Sequence, residues 1–400
     1  MSEAEAFRSL AFILGSAALV PVVLGLLPKV RLPEVVLLLA LGMTLGPYGL
    51  GLATVDPRIG FVSDLGLGML FLLAGIEVDP LVVRTHDGQR AILAWLISLV
   101  VAVGWMLLLS QVFDVPAWGA VAIAMTSTAF GTLLPVLRET GLQSQRMGRL
   151  VIANGAIGEF GPILAMSVFL SGGKDFRGVI SLLVFGIVAV ALGYLLVRHA
   201  SRAERVSAVV RRGADTTAQA PLRLVLLLLA VMLAASATLG LDVILGAFVA
   251  GAIIRLLLPA EHDWLLARLD GVGYGFLIPV FFVVSGMGID AGVLLDRLGV
   301  TLFVFASILL VRGGSVYAVF RHLGRRSRLT LGLFSATGLP IIVAVTTVAV
   351  EAGHMGHEEQ SIVVAAGMLT VVCLPVLALA VHRADDTPEG TASPTTSGGG

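Results

Sequence analysis

Met125-Thr-Ser-Thr-Ala-Phe-Gly-Thr-Leu-Leu-Pro135 lies inside an apolar segment, 117–137, whose length suits a membrane-spanning helix. Three adjacent hydroxyls, Gly131 and Pro135 interrupt that helix. A second stretch, Phe334-Ser-Ala-Thr-Gly-Leu-Pro340, does the same inside segment 328–350. Gly and Pro weaken the helical ladder. Backbone groups freed within hydrocarbon must find other partners. The economical solution is two discontinuous helices that cross, with half-helix ends and hydroxyls turned to a polar cavity. Carbonyls from such ends can coordinate a cation. Thr126, Ser127 and Thr128 in the first stretch are therefore candidate site residues, with Ser335 and Thr337 in the second. For either stretch alone, a kink packed by Ser and Thr is the simpler reading. It is the pairing that favours an ion site.

Composition supports a bilayer setting. Of 400 residues, 57% are hydrophobic and a further 47 are Gly. Charged residues make up 13%, about half the ~25% of soluble domains. Net charge is zero, so no nucleic-acid surface is expected. A single cysteine, Cys373, excludes an intramolecular disulfide and a Cys-based metal cluster.

Thirteen apolar segments read as spans: 7–27, 33–47, 61–78, 91–111, 117–137, 148–170, 178–197, 222–239, 241–256, 272–289, 298–320, 328–350 and 360–381. The acidic N-terminus lacks a basic leader, so the first span is expected to be retained. With the N-terminus outside, inner loops carry twenty Lys and Arg and outer loops five. That bias predicts an N-out, C-in protein of the cell membrane. The expected fold is an all-α polytopic membrane protein, with a membrane domain over 1–383 and a disordered cytoplasmic tail over 384–400. The linker 199–221 reads as a basic cytoplasmic loop, and no soluble domain is expected.

The chain also repeats itself. Met69-Leu-Phe-Leu-Leu-Ala-Gly-Ile-Glu-Val-Asp79 parallels Val280-Phe-Phe-Val-Val-Ser-Gly-Met-Gly-Ile-Asp290, an offset of 211. Leu32 and Gly42 match Leu241 and Gly251, and Thr128 matches Thr337, each at an offset of 209. Spans 2–6 thus read as repeated in spans 9–13. Seven spans of displacement reverse direction, so the repeat is inverted, a pattern of secondary transporters.

Two ionisable residues fall deep within spans. Glu159 stands in Val151-Ile-Ala-Asn-Gly-Ala-Ile-Gly-Glu-Phe-Gly-Pro162, and Arg312 in Leu309-Leu-Val-Arg-Gly-Gly-Ser315. Charges at such depth are costly and mark function by default. A carboxylate that holds either a proton or a cation is the minimal exchanger site. A static Glu159–Arg312 pair joining two helices is the alternative. Asn154 lies about 140° around the helix from Glu159 and reads as packing. Glu77 and Asp79 read as fixing a helix end, and Asp242 as a cap. The segment Glu351-Ala-Gly-His-Met-Gly-His-Glu-Glu359 reads as a solvated outer loop, with metal or pH sensing as the lesser alternative. No nucleotide-binding or hydrolase motif occurs, so energy must come from ion gradients and no cofactor is expected.

Together these stretches resemble the monovalent cation:proton antiporter superfamily, in particular its second branch of bacterial Na⁺/H⁺ and K⁺/H⁺ exchangers. The marks are Arg31-Leu-Pro-Glu-Val-Val with Leu45-Gly-Pro-Tyr-Gly-Leu-Gly51, Leu70-Phe-Leu-Leu-Ala-Gly-Ile-Glu77, and Thr126-Ser-Thr128 with Leu133-Leu-Pro-Val-Leu-Arg-Glu-Thr-Gly141. Leu245-Gly-Ala-Phe-Val-Ala-Gly251 and Phe281-Phe-Val-Val-Ser-Gly-Met287 complete them. The resemblance implies a homodimer whose scaffold is spans 1–3 and 8–10. Spans 4–6 and 11–13 would form a core that slides like an elevator, with span 7 connecting the two parts. Relatives commonly place two acids in the sixth span. Here the positions read Gly158-Glu159, and Arg312 stands where relatives often carry Lys. Arg does not give up its proton in proteins. One acid with a fixed cation leaves one exchangeable proton, which predicts electroneutral exchange of Na⁺ or K⁺ for H⁺. A gated potassium efflux channel of the same fold and a proton-coupled exporter of organic substrate are the alternatives. Neither a nucleic acid nor an enzymatic substrate is expected as a partner.

Overall fold

The computed structural model describes residues 2–26, 33–77, 84–112, 117–170, 177–202, 219–257 and 263–383. The tail 384–400, Asp79 and most of the basic linker lie outside these residues. Among them every regular element is a helix. The first eight are α1 (Glu3–Leu26), α2 (Glu34–Leu45), α3 (Pro57–Glu77), α4 (His86–Leu109), α5 (Trp118–Met125), α6 (Phe130–Glu139), α7 (Arg146–Leu170) and α8 (Arg177–Arg202). Then come α9 (Ala220–Thr238) and α10 (Val243–Leu257). A long span follows as α11 (Asp263–Val272), a π turn (Gly273–Leu277) and α12 (Ile278–Met287). After the short α13 (Ala291–Asp296), another π turn (Leu309–Gly313) joins α14 (Leu298–Ile308) to α15 (Gly314–Val319). The last helices are α16 (Arg325–Ser335), α17 (Leu339–Glu351) and α18 (His357–Arg383).

Nine helical runs among the described residues are long and apolar enough to cross a membrane. Four shorter apolar helices, Glu34–Leu45, Trp118–Leu134, Leu183–Leu195 and Val243–Leu257, fall where the other four spans were read. The tenth span differs in extent, beginning at Asp263 rather than near 272. Leu265 and Leu269, four residues apart and both buried, extend its apolar stripe backwards through a polar sequence.

Two pairs of helices make the closest crossings. α2 packs on α12, and α3 packs on α10. A Cβ added at Gly42 would fall on the Val283 carbonyl and the Gly286 backbone, and one at Gly286 on the Leu39 carbonyl. A Cβ at Gly251 would fall on the Leu72 carbonyl and the Gly75 backbone, and one at Gly75 on the Phe248 carbonyl. Gly42 and Gly251 are equivalent in the repeat, as are Gly75 and Gly286. One inverted contact is therefore used twice, and only glycine lets the backbones approach so closely.

The remaining long helices pack mainly among themselves. α4 lies on α5, α7 and α15, while α18 lies on α14, α16 and α17. α8 touches both α7 and α10. One group of helices thus holds α1–α3 and α9–α12, and the other holds α4–α7 and α14–α18.

Gly251→Ala and Gly75→Ala should each destabilise the protein by about 1–3 kcal/mol, the usual cost of forcing extra volume into a filled contact. Gly104→Ala, which meets nothing within 4 Å, should be neutral or slightly stabilising. Thermal unfolding of the purified variants in detergent measures the difference.

Candidate ion-binding site

Both helix breaks form and cross, but the first falls at the hydroxyls alone; Gly131 and Pro135, expected to interrupt the helix, lie inside α6. α5 ends at Met125, and Thr126–Ala129 are non-helical before α6 begins. α16 ends at Ser335, and Ala336–Gly338 separate it from α17, whose first turn contains Pro340. The Ala129 amide donates to the Thr337 carbonyl at 2.6 Å, and the Thr128 hydroxyl donates to the Ser335 carbonyl at 2.6 Å. The Thr128 amide donates to the Gly158 carbonyl at 2.8 Å, which ties the crossing to α7. The Ser127 hydroxyl donates to the Ala124 carbonyl at 2.7 Å and to the Gly338 carbonyl at 3.3 Å. The Thr126 hydroxyl donates to the Ile123 carbonyl at 2.8 Å. Each break therefore exchanges its lost helical bonds for bonds across the crossing, as buried backbone requires.

Arg312 completes the arrangement from its π turn. It is 0% exposed. Its Nε donates to the Thr128 hydroxyl at 3.1 Å, one Nη donates to the Asn154 carbonyl at 3.0 Å, and the other reaches the Ser98 hydroxyl at 3.5 Å. The ends of α5 and α16 that meet here carry partial negative charge, which suits a guanidinium. A Cβ at Gly158 would fall on the Thr128 hydroxyl and the Arg312 guanidinium. The place of a second acid is thus filled by Arg312 and Thr128.

Glu159 turns the other way. It is 5% exposed, and its Oε2 is buried with no hydrogen-bond partner. Among the described residues its carboxylate makes no ion pair with Arg312. The side chain lines a cavity of about 90 Å³, room for several waters at ~30 Å³ each. Gly131 and Thr132 from the first turn of α6 line it, as does Pro340 from the first turn of α17. Those two ends carry partial positive charge. The crossing thus sorts its half-helix ends, with carbonyl ends toward Arg312 and amide ends toward Glu159.

The cavity's other wall comes from the first group of helices. Glu34, Leu38, Ala74, Glu77, Tyr274 and Phe282 line it. Glu77, the exposed last residue of α3, brings Oε2 to 3.8 Å from where a Cβ on Gly131 would lie. The Tyr274 hydroxyl lies 4.0 Å from the same point. Glu77 stands at a helix end, as its sequence position implies; that this end lines the same cavity as Glu159 is visible only in the structure. Thr126, Ser127, Thr128, Ser335 and Thr337 do not line the cavity. The first three spend their hydroxyls on backbone carbonyls, and the Thr337 hydroxyl points to the Leu333 carbonyl at 3.4 Å. The Ser335 hydroxyl is buried without a partner.

The lesser candidates resolve simply. Asp242 caps α10, its Oδ1 accepting from the Ile244 amide at 2.8 Å. Asn154 bonds its own helix through Nδ2 and serves Arg312 through its carbonyl. In the segment 351–359 Glu358 pairs with Arg297 at 3.2 Å, and His357 faces Gln360 and Tyr48. Among the described residues no group of His, Cys, Asp and Glu is set to hold a metal.

If Arg312 holds the crossing, Arg312→Gln should cost about 3 kcal/mol, the scale of one or two charge-assisted hydrogen bonds. Arg312→Lys should cost nearly as much, because a single ammonium cannot span Thr128, Asn154 and Ser98. Thermal unfolding in detergent gives the ranking; a Lys variant as stable as the wild type would contradict it.

Comparison with known proteins bears on the family and the fold. A family model for the transmembrane region of sodium/hydrogen exchangers matches residues 14–379. A probable Na⁺/H⁺ antiporter of Methanocaldococcus jannaschii is 27% identical over 364 residues, covering 89% of this chain and 92% of that protein. A putative Na⁺/H⁺ antiporter of Bacillus subtilis is 25% identical over 402 residues; the match covers 95% of this chain and 64% of that longer protein. The solved structure of a sodium proton antiporter from Methanocaldococcus jannaschii superposes with a TM-score of 0.64 at 17% identity, covering 94% of this chain and 99% of that one. The likeness shows a common fold. With the matched model spanning nearly the whole membrane region, the chain belongs to the sodium/hydrogen exchanger family, a family of multi-pass membrane antiporters rather than enzymes.

Proposed function

We propose that this antiporter exchanges one monovalent cation for one proton at Glu159, by an electroneutral, elevator-like cycle. The observation that carries the reading is the Glu159 carboxyl. It is buried, it has an orphaned Oε2, and it faces a cavity rather than a partner. A buried charge with no partner is unfavourable. The carboxyl is therefore occupied in turn by a proton or a cation, and only the occupied forms cross. Na⁺ is the leading cation, because the similar proteins are named Na⁺/H⁺ antiporters. K⁺ offers the same oxygen chemistry and is the second candidate.

Electroneutrality is supported by what surrounds the site. Arg312 is committed to neutral oxygens, so it neither binds nor releases a proton in the cycle. Glu77 belongs to the opposite group of helices. If α4–α7 and α14–α18 slide as a core past a scaffold of α1–α3 and α9–α12, Glu159 travels and Glu77 stays. One carboxyl then makes the journey. Thr126, Ser127, Thr128, Ser335 and Thr337 serve the site by holding the broken ends around it. The apolar outer surface of α1, with Phe7, Leu19 and Leu26 exposed, suits lipid or the partner of a homodimer. Twenty inner against five outer basic residues support an N-out, C-in orientation in the cell membrane. The cavity then opens toward the cytoplasm.

In proteoliposomes loaded with a pH dye, adding Na⁺, K⁺ or Li⁺ should dissipate an imposed proton gradient. No response to any of the three would sink the reading. Glu159→Gln should reduce exchange to background while the protein still folds; retained exchange would move the site elsewhere. With pH gradients clamped, the exchange rate should be indifferent to membrane potential, and a clear dependence would rule out one-for-one exchange.

A further inference from the structure

Among the described residues the chain contains two π turns, Leu309–Gly313 and Gly273–Leu277. Such turns concentrate at functional sites because the extra residue re-aims a side chain. The first turn carries Arg312. The second carries Tyr274, between Gly273 and Gly275, and so far has no role. Its ring stands at the mouth of the Glu159 cavity, half-exposed. Its hydroxyl and the Glu77 Oε2 lie 4.0 and 3.8 Å from where a Cβ on Gly131 would stand. Glu34, Glu77 and Glu159 line the same cavity. Yet the hydroxyl makes no hydrogen bond among the described residues.

We propose that the Tyr274 hydroxyl is a cation ligand at the cytoplasmic mouth of this cavity, acting from the stationary helices, and so sets cation affinity on that side alone. An ion entering between Glu77 and Glu159 must replace water oxygens with protein oxygens. Carboxylates supply some, and backbone carbonyls at the crossing are already engaged. A free neutral hydroxyl adds an oxygen without adding charge. The absence of a side chain at Gly131 leaves the gap through which Tyr274 and Glu77 approach the core. Because Tyr274 sits on the span of α11 and α12, a core that slides away leaves it behind. Its influence is then confined to the state in which Glu159 faces the cytoplasm. This sidedness rests on the exchange reading above.

The test is Tyr274→Phe, which removes one atom and keeps the ring. Everted and right-side-out vesicles, from cells lacking other such antiporters, present the two faces separately. At the cytoplasmic face the variant should raise the cation KM about three- to tenfold, the worth of one neutral polar contact. The maximal rate should stay within about twofold, and the external KM should not move. An unchanged cytoplasmic KM overturns the proposal, and so does an equal rise on both faces. Loss of all exchange in the folded variant overturns it as well, since it would place Tyr274 in the transport step itself. Failure of the exchange reading is separable: the wild type would then show no cation-driven proton flux, or Glu159→Gln would retain it.

Discussion

The structure depends on how two broken helices satisfy their backbone inside hydrocarbon. Each unpaired amide or carbonyl there costs several kcal/mol, about as much as a domain can lose without unfolding. The chain meets this constraint by crossing the breaks, so that Ala129 bonds Thr337 and Thr128 bonds Ser335 and Gly158. The carbonyl ends of α5 and α16 converge there with partial negative charge, and Arg312 sets a positive charge against it. The guanidinium bridges Thr128 on one break, Asn154 on α7 and Ser98 on α4. One charge thereby fixes four helices of one group around a single point.

That arrangement frees Glu159. Had Arg312 paired with it, the two charges would have closed a static bridge between α7 and the π turn. Instead Arg312 is oriented to the carbonyl ends and Glu159 to the amide ends of the same crossing. Gly158 is what permits this, since a side chain there would occupy the position of the guanidinium. The opposite group of helices is locked differently, through glycines 42, 75, 251 and 286, whose backbones touch carbonyls directly. One group is cemented by polar bonds around a charge and the other by close apolar contact. The cavity beside Glu159 lies on the seam between them, lined by both groups.

Much of this was legible in the sequence because hydrocarbon penalises every exception. Glu159 and Arg312 stood out against a background with almost no buried charge. The breaks at 126–129 and 336–338 announced themselves through hydroxyls, Gly and Pro, and their equal offset suggested the crossing. Thirteen spans followed from apolar length alone. The cavity's far wall was not legible. Glu77 sits at a helix end in sequence, and only the packing of α3 against α6 brings it to Gly131. Tyr274 depends on a π turn, which leaves no mark in hydrophobic periodicity. The hydroxyls of Thr126, Ser127 and Thr128 suggested ligands, but the nearest freed carbonyls claim them first. Periodicity reports which side of a helix is apolar; it does not report which distant helix that side meets.

The central claim is that proton and cation compete for one carboxyl. Proton release on cation binding measures this directly, in weakly buffered detergent solution and without transport. Competition at Glu159 predicts release of up to about one proton per chain as Na⁺ or K⁺ saturates the site, with the release absent in Glu159→Gln. Saturable cation binding that releases no proton at any pH, or release undiminished in Glu159→Gln, would contradict it.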